Sequence, residues 1–243
     1  MKISILTLFP DMFNDFLNTS IIKKARLKGL VEIECIDIRS FTANKHRRVD
    51  DYPFGGGQGL VMAVQPVRDA LASVFKEGSH VVMTSASGQT LTQKKVREFA
   101  KHEHMIILCG HYEGFDERIK ELINEEVSIG DYILTGGELP AMVLTDAIAR
   151  LEEGVIRESS HLDESFETGL LEYPHYTRPE SLDGMDVPAV LLSGNHEEIR
   201  KFRLKESLRK TWETRPDLFK EYTLTKEETL MLIQILQESL KKA

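Results

Sequence analysis

Apolar positions along the chain alternate between continuous runs and helical spacing. Lys2–Phe9 predicts a buried strand; Phe13, Phe16, Leu17, Ile21, Ile22 and Ala25 then recur at helical spacing, and Gly29 stands where a helix would stop. Val31, Ile33, Cys35, Ile36 and Ile38 predict a second strand. After a glycine-rich loop, Pro66 opens a helix, His80–Thr84 reads as a strand, Thr92–His102 as a helix, and Met105–Leu108 as a strand ending at Cys109. A short helix near Asp116–Asn124 leads to a strand over Ile129–Leu134 and a helix from Leu139 to Leu151. Strands alternating with helices predict a parallel sheet covered on both faces, in the ordinary doubly wound arrangement.

From Glu152 to Glu172 the apolar period dissolves into polar and acidic residues. The stretch is longer than a routine connection and reads as a linker or a mobile active-site segment. Beyond it the chain is helical: Glu197–Trp212, then a terminal helix opened by the capping box Thr225-x-x-Glu228 and faced by Leu230, Ile233, Leu236 and Leu240. The expected organisation is an α/β domain over 1–158, a linker over 159–172 and a smaller helical domain over 173–243.

Composition leaves this picture standing. The chain has 243 residues, 41% hydrophobic and 29% charged, with no apolar run approaching the roughly 20 residues of a membrane helix. The N-terminus reads as a first strand, without the cleavage pattern of a signal peptide. Cys35 and Cys109 have no metal or redox spacing, which points to the cytoplasm. A net charge of −8 argues against a nucleic-acid partner, but its distribution does not. Arg39–Arg48 holds four basic residues and no acid, and Arg200–Arg215 holds seven basic residues against Glu206 and Glu213. The second run is either the solvated face of a helix or a phosphate-contacting one.

Chemistry concentrates where glycines break apolar runs. Ser128-Ile129-Gly130-Asp131-Tyr132-Ile133-Leu134-Thr135-Gly136-Gly137-Glu138-Leu139-Pro140 does so, as does Cys109-Gly110-His111-Tyr112-Glu113-Gly114. Residues without a Cβ let bare N–H and C=O groups approach a ligand, so a pocket is expected at the carboxyl edge of the sheet. Phe54-Gly55-Gly56-Gly57-Gln58-Gly59 lacks the Lys-Ser/Thr of a nucleotide loop and reads as a tight turn or a substrate-side loop.

These segments, with Gly169-Leu170-Leu171-Glu172-Tyr173-Pro174-His175-Tyr176-Thr177-Arg178-Pro179, Leu6-Thr7-Leu8-Phe9-Pro10, Val49–Gly57 and Leu192–His196, resemble the bacterial tRNA (guanine-N1)-methyltransferase family over essentially the whole chain. The resemblance implies the SPOUT α/β fold, a parallel sheet with a deep trefoil knot and a smaller C-terminal helical domain. It further implies a homodimer whose active sites lie at the subunit interface. The implied reaction is methylation of N1 of the guanosine 3′ of the tRNA anticodon, position 37, where another guanosine precedes it. S-adenosyl-L-methionine is the implied methyl donor, with magnesium associated but no metal ligands assigned.

Carried over by position, the cofactor residues are Gly110, Tyr112, Glu113 and Gly114 from one loop. Ser128, Ile129, Gly130, Asp131, Tyr132, Ile133, Leu134, Gly136, Gly137 and Pro140 come from another. Ser85 and Gly88 come from a third, in which Ala86 replaces the proline of many relatives. Methyl transfer to N1 requires loss of the N1 proton and stabilisation of charge growing on O6. The family's arginine matches Arg150, whose plain alternative is a helix C-terminal cation. The family's base is an aspartate directly before Ser-Phe; here Glu164 holds that place, with Asp163 beside it as the alternative. His111 departs from the arginine of some relatives and is not expected to be catalytic, and His102-x-His104 reads as surface. The helical C-terminal part, with Arg200, Lys201, Arg203, Arg209, Lys210 and Trp212, is expected to hold tRNA phosphates. Two other readings remain open: an RNA-binding protein without turnover, and a knotted methyltransferase acting on another target such as a ribose 2′-hydroxyl.

Overall fold

The computed structural model describes residues 1–156 and 164–241. The chain divides into two compact units, Met1–Arg157 and Glu158–Ala243. The first is built on five parallel strands: β1 (Lys2–Thr7), β2 (Glu32–Asp37), β5 (His80–Thr90), β6 (His104–Leu108) and β7 (Glu125–Ser128), in the order β2-β1-β6-β5-β7. Two two-residue strands, β3 (Asp50–Asp51) and β4 (Val61–Met62), form a hairpin beside it.

Side chains alternate across a strand, so each strand feeds two cores. Ile3, Ile5, Met105, Ile107 and Val127 face one core with α1 (Asn14–Leu17), α2 (Ser20–Leu27), α4 (Gln93–Phe99) and α5 (Glu138–Ala149). Leu6, Leu8, Ile106, Leu108, Val81 and Met83 face the other, with α3 (Val64–Val74). Burial on both faces is why the strands read as continuous apolar runs. β6 lies at the centre with all five residues buried.

Three elements depart from the pattern. The helix expected over 13–25 is a 3-10 turn followed by α1 and α2, because Thr19 is extended and Ser20 adopts φ +54. β5 runs beyond Thr84 to Thr90 but slips register against β7 between Thr84 and Gln89, so residues 85–88 bulge from the ladder. The strand expected at Ile129–Leu134 lies earlier, as β7. Glu125 and Glu126 sit in a sheet-edge strand because Lys95 and Lys120 pair with them at 2.5 and 3.1 Å, and His80 Nε2 lies at hydrogen-bond distance, 2.8 Å, from Glu125 Oε1. Residues 129–134 are irregular, with Ile133 82% exposed.

In the second unit α7 (His196–Thr214) and α8 (Lys226–Leu240) pack around Leu170, Leu208 and Ile235. The capping box forms as expected: Glu228 N–H donates to Thr225 Oγ1 at 3.2 Å, and Thr225 N–H donates to Glu228 Oε2 at 2.7 Å. The segment before these helices is tied to α7. Leu171 N–H donates to Thr211 Oγ1 at 2.9 Å and Ser207 Oγ donates to Leu171 O at 2.5 Å. A hairpin of β8 (Ser181–Leu182) and β9 (Met185–Asp186) and the short α6 (Ala189–Leu192) follow, none of them signalled by periodicity.

Candidate cofactor cleft and site residues

Parallel strands end at one edge, and the segments leaving β5, β6 and β7 there enclose a cleft of about 450 Å³, within the usual range for a small-molecule site. It is lined by Ser85, Gly110, Tyr112, Glu113, Gly114, Ser128, Ile129, Gly130, Tyr132, Ile133, Leu134, Gly136, Gly137 and Pro140. The three glycine-punctuated loops thus meet in one place. Gly88 and Asp131 do not line it. A Cβ on Gly88 would lie 2.5 Å from Val127 N, so this glycine serves the close approach of the β5 bulge to β7.

Gly137 closes the cleft floor. Its N–H donates to Gly110 O at 2.7 Å, and the preceding Gly136 bridges antiparallel to His111. A Cβ on Gly137 would strike Thr84 Oγ1 and stand 2.6 Å from Gly110 N and 2.8 Å from Cys109 Cα. No side chain fits where these two segments cross. Directly after, Glu138 opens α5 and is only 3% exposed. Thr7 Oγ1 donates to Glu138 Oε1 at 2.8 Å and accepts from Phe9 N–H at 2.9 Å, so one carboxylate ties α5 to the end of β1. The helix N-terminus favours negative charge there. An acid in the first turn after a double glycine is the sequence signal for this residue, which the cleft pattern alone did not single out.

His111 lines the cleft, with its ring against Phe9 at 5.0 Å and edge-on to Tyr112 at 4.9 Å. Its Nδ1 is buried without a hydrogen-bond partner among the described residues. Glu126, on the opposite wall, is pushed up by burial, but hydrogen bonds from Ser85, Lys120 and Ser87 outweigh this and hold the carboxyl below its ordinary range. Ser85 therefore supports a wall carboxylate. Asp116 is drawn down to about 2 by its hydrogen bonds from Arg118. Burial pushes the Cys109 thiol well above its ordinary range, which removes it as a nucleophile. Glu113 lies over Gly59, and its N–H donates to Leu60 O at 3.0 Å, which brings the glycine-rich loop to the cleft wall.

Arg150 is half-buried at the end of α5, its N–H donating to Asp146 O at 3.1 Å. Glu164 belongs to the second unit, where its carbonyl accepts from Glu167 N–H at 3.2 Å. Asp163 lies outside the described residues. Among the described residues no group of three or more His, Cys, Asp or Glu converges on a metal position, and no helix is long and apolar enough to cross a membrane.

The cleft suits S-adenosylmethionine in one testable respect. The Gly136–Gly137 crossing packs two backbone segments directly against each other at the cleft wall, so glycines there hold the shape of a cleft whose lining is largely backbone and small side chains. An all-parallel sheet with a cleft at its carboxyl edge places the protein in the α/β class, in which that edge is the usual place for a small-molecule site. The family model described as tRNA (Guanine-1)-methyltransferase TrmD matches residues 1–221, and the chain belongs to that family. It is 54% identical to the tRNA (guanine-N(1)-)-methyltransferase of Alkaliphilus metalliredigens, with 97% of this chain and 98% of the relative covered. The proteins of the same name from Dictyoglomus turgidum, at 52% with 98% of each chain covered, and Shouchella clausii, at 50% with 98% and 99%, are similarly close.

Proposed function

We propose that this protein transfers a methyl group from S-adenosylmethionine to N1 of guanosine 37 in tRNA, as its family membership implies. The observation that carries the reading is the glycine-built cleft in a chain matched along nearly its whole length by that family. S-adenosylmethionine supplies an electrophilic methyl on a sulfonium centre. The chain's part is to hold that donor with the backbone of the Gly110–Gly114 and Ser128–Pro140 loops and to manage charge on the base. Glu164 takes the N1 proton, with Asp163 as the alternative acceptor, and the Arg150 guanidinium donates to O6 as negative charge grows there.

We further infer a homodimer. α5 exposes Leu139 (50%) and Val143 (46%), one turn apart, beside the 3-10 turn that carries exposed Met12 (48%). Such an apolar stripe suits a self-complementary partner. The trefoil threading follows from the family reading, the division at 158 and 173 from the loss of apolar period between the two patterned parts, and a cytoplasmic location from the cysteine usage. Magnesium, if required, has no assigned ligands.

The test is transfer of labelled methyl to a tRNA transcript with guanosines at the last anticodon position and just 3′ of it, followed by nucleoside analysis. Wild type is expected to yield N1-methylguanosine, and Glu164→Gln to lose about 10²–10⁴ of the rate, the usual contribution of a general base. If Asp163→Asn is the damaging change, the base is Asp163. A wild type that binds S-adenosylmethionine and methylates nothing would sink the reading in favour of an RNA-binding protein, and a methylated ribose would sink it in favour of another target.

A further inference from the structure

The cations expected to hold tRNA on α7 are largely spoken for within the protein. Arg200 pairs with Glu197 at 3.0 Å and Glu227 at 2.8 Å, Lys205 and Arg209 pair with Glu238 at 2.8 and 2.7 Å, and Arg215 pairs with Asp217 at 2.7 Å. Lys201 stands within 3.7 Å of Glu197 and Glu198, and the Arg203 guanidinium lies 4.9 Å over the Tyr173 ring.

The other basic run behaves in the opposite way. Lys45, His46, Arg47 and Arg48 are all exposed, and none is paired with a carboxylate among the described residues. Their loop is nonetheless ordered by its own hydrogen bonds. Thr42 Oγ1 donates to Arg48 O at 2.7 Å, His46 N–H donates to Asn44 Oδ1 at 2.7 Å, and Arg47 N–H donates to Asn44 O at 2.9 Å. Like charges on one short loop repel one another, and among the described residues no carboxylate is paired with them.

The loop's position is defined by its two ends. It leaves the carboxyl edge of the sheet after β2, the edge that carries the cleft. Before it, Phe41 O accepts from Gln65 Nε2 at 2.8 Å; after it, Val49 O accepts from Ala63 N–H at 2.8 Å. Both anchors lie at the end of β4 and the start of α3. β4 is itself bonded to the cleft wall, with Met62 N–H donating to Gly114 O at 2.9 Å and Asp116 N–H to Met62 O at 3.0 Å. The cationic loop and the wall formed by Gly114 and Asp116 are therefore parts of one hydrogen-bonded assembly within the first unit.

We propose that the Thr42–Arg48 loop is the phosphate-contacting surface of the first unit, with Lys45, Arg47 and Arg48 gripping the backbone of the RNA whose base enters the cleft. This rests on the tRNA reading above. In a chain of net charge −8, a local cationic patch at the reacting edge is what draws a polyanion to that edge. The loop positions the substrate and takes no part in the methyl transfer itself.

The experiment is tRNA binding over a range of salt concentrations. It compares wild type with a triple variant (Lys45→Gln, Arg47→Gln, Arg48→Gln), a charge-keeping variant (Arg47→Lys, Arg48→Lys) and a control on α2 (Lys23→Gln, Lys24→Gln). Each phosphate contact contributes about 0.7–0.9 to the slope of log K on log salt, so the triple variant is expected to lower the slope by about two and to weaken binding at least tenfold. The charge-keeping variant and the α2 control are expected to keep the wild-type slope, and all variants to keep wild-type melting and S-adenosylmethionine affinity. If wild type binds and methylates but the triple variant keeps the wild-type slope, this inference is overturned while the activity stands. The inference is equally overturned if the α2 control lowers the slope as much, since net charge alone would then explain the effect. If wild type neither binds nor methylates tRNA, the reading of the preceding subsection falls first and carries this one with it.

Discussion

An alanine at Gly137 would place its Cβ against Gly110 N and Cys109 Cα, backbone atoms at the end of β6, the strand at the middle of the sheet. Neither neighbour is a flexible side-chain tip, so the crossing segments must separate. We expect Gly137→Ala to destabilise the first unit by about 1–3 kcal/mol or more, the scale of overpacking, and to abolish S-adenosylmethionine binding in calorimetry. Gly110→Ala is the informative contrast, because its Cβ would meet a side chain, the Phe115 ring edge at 3.1 Å, rather than backbone, and a shift of a few tenths of an ångström would relieve it. Equal affinity of Gly137→Ala and wild type for S-adenosylmethionine would show that the crossing does not shape the cofactor site. The double glycine was visible in the sequence as a place of close approach. What it approaches was not, because Gly110 and Thr84 lie 27 and 53 residues earlier. Glu138 illustrates the same limit: its acidity beside an apolar helix could be read, but its bond to Thr7 joins residues 131 positions apart.

The α7–α8 pair of the second unit is clamped by Glu238, whose carboxyl is held at about 2 by hydrogen bonds from Lys205 and then Arg209. In the unfolded chain a glutamate titrates near 4.3. The folded value is the lower one, so the clamp contributes stability that is fully present above about pH 5 and is lost as pH falls toward 2. Glu238→Gln should therefore lower the melting temperature at neutral pH and converge with wild type near pH 2. Trp212, the only tryptophan, reports on this unit by fluorescence. The effect should be modest, since the carboxylate is solvent-exposed and screened. A melting difference that stays constant from pH 7 to 2 would rule out the ion pairs as its source. The capping box of α8 was legible because it involves residues three apart. The β7 strand was not, because Glu125 and Glu126 look like loop residues until Lys95 and Lys120 are seen to pair with them.

At the scale of the whole molecule, the apolar stripe of α5 predicts assembly. Burying a side chain such as Leu139 or Val143 contributes about 1.5–3 kcal/mol, and in a two-fold interface each occurs twice. Leu139→Arg with Val143→Arg is expected to turn a dimer into a monomer in sedimentation velocity while leaving far-UV dichroism unchanged; an unaltered sedimentation coefficient would remove α5 from the interface. Tertiary structure also reversed the ranking of the two basic runs. By composition Arg200–Arg215 was the richer, yet its charges are largely returned to neighbouring acids, whereas the shorter Arg39–Arg48 run keeps three exposed cations with no carboxylate among the described residues. Most long elements of the first unit, their alternation, the α8 cap and the points of close backbone approach were determined by the sequence itself, because periodicity, capping and chain reversal are set by residues a few positions apart. The convergence of three loops on one cleft, the burial of Glu138 and the pairing of Arg200, Lys205 and Arg209 with Glu227 and Glu238 of α8 were decided only by tertiary structure, because each depends on which distant segments packing brings within hydrogen-bond reach.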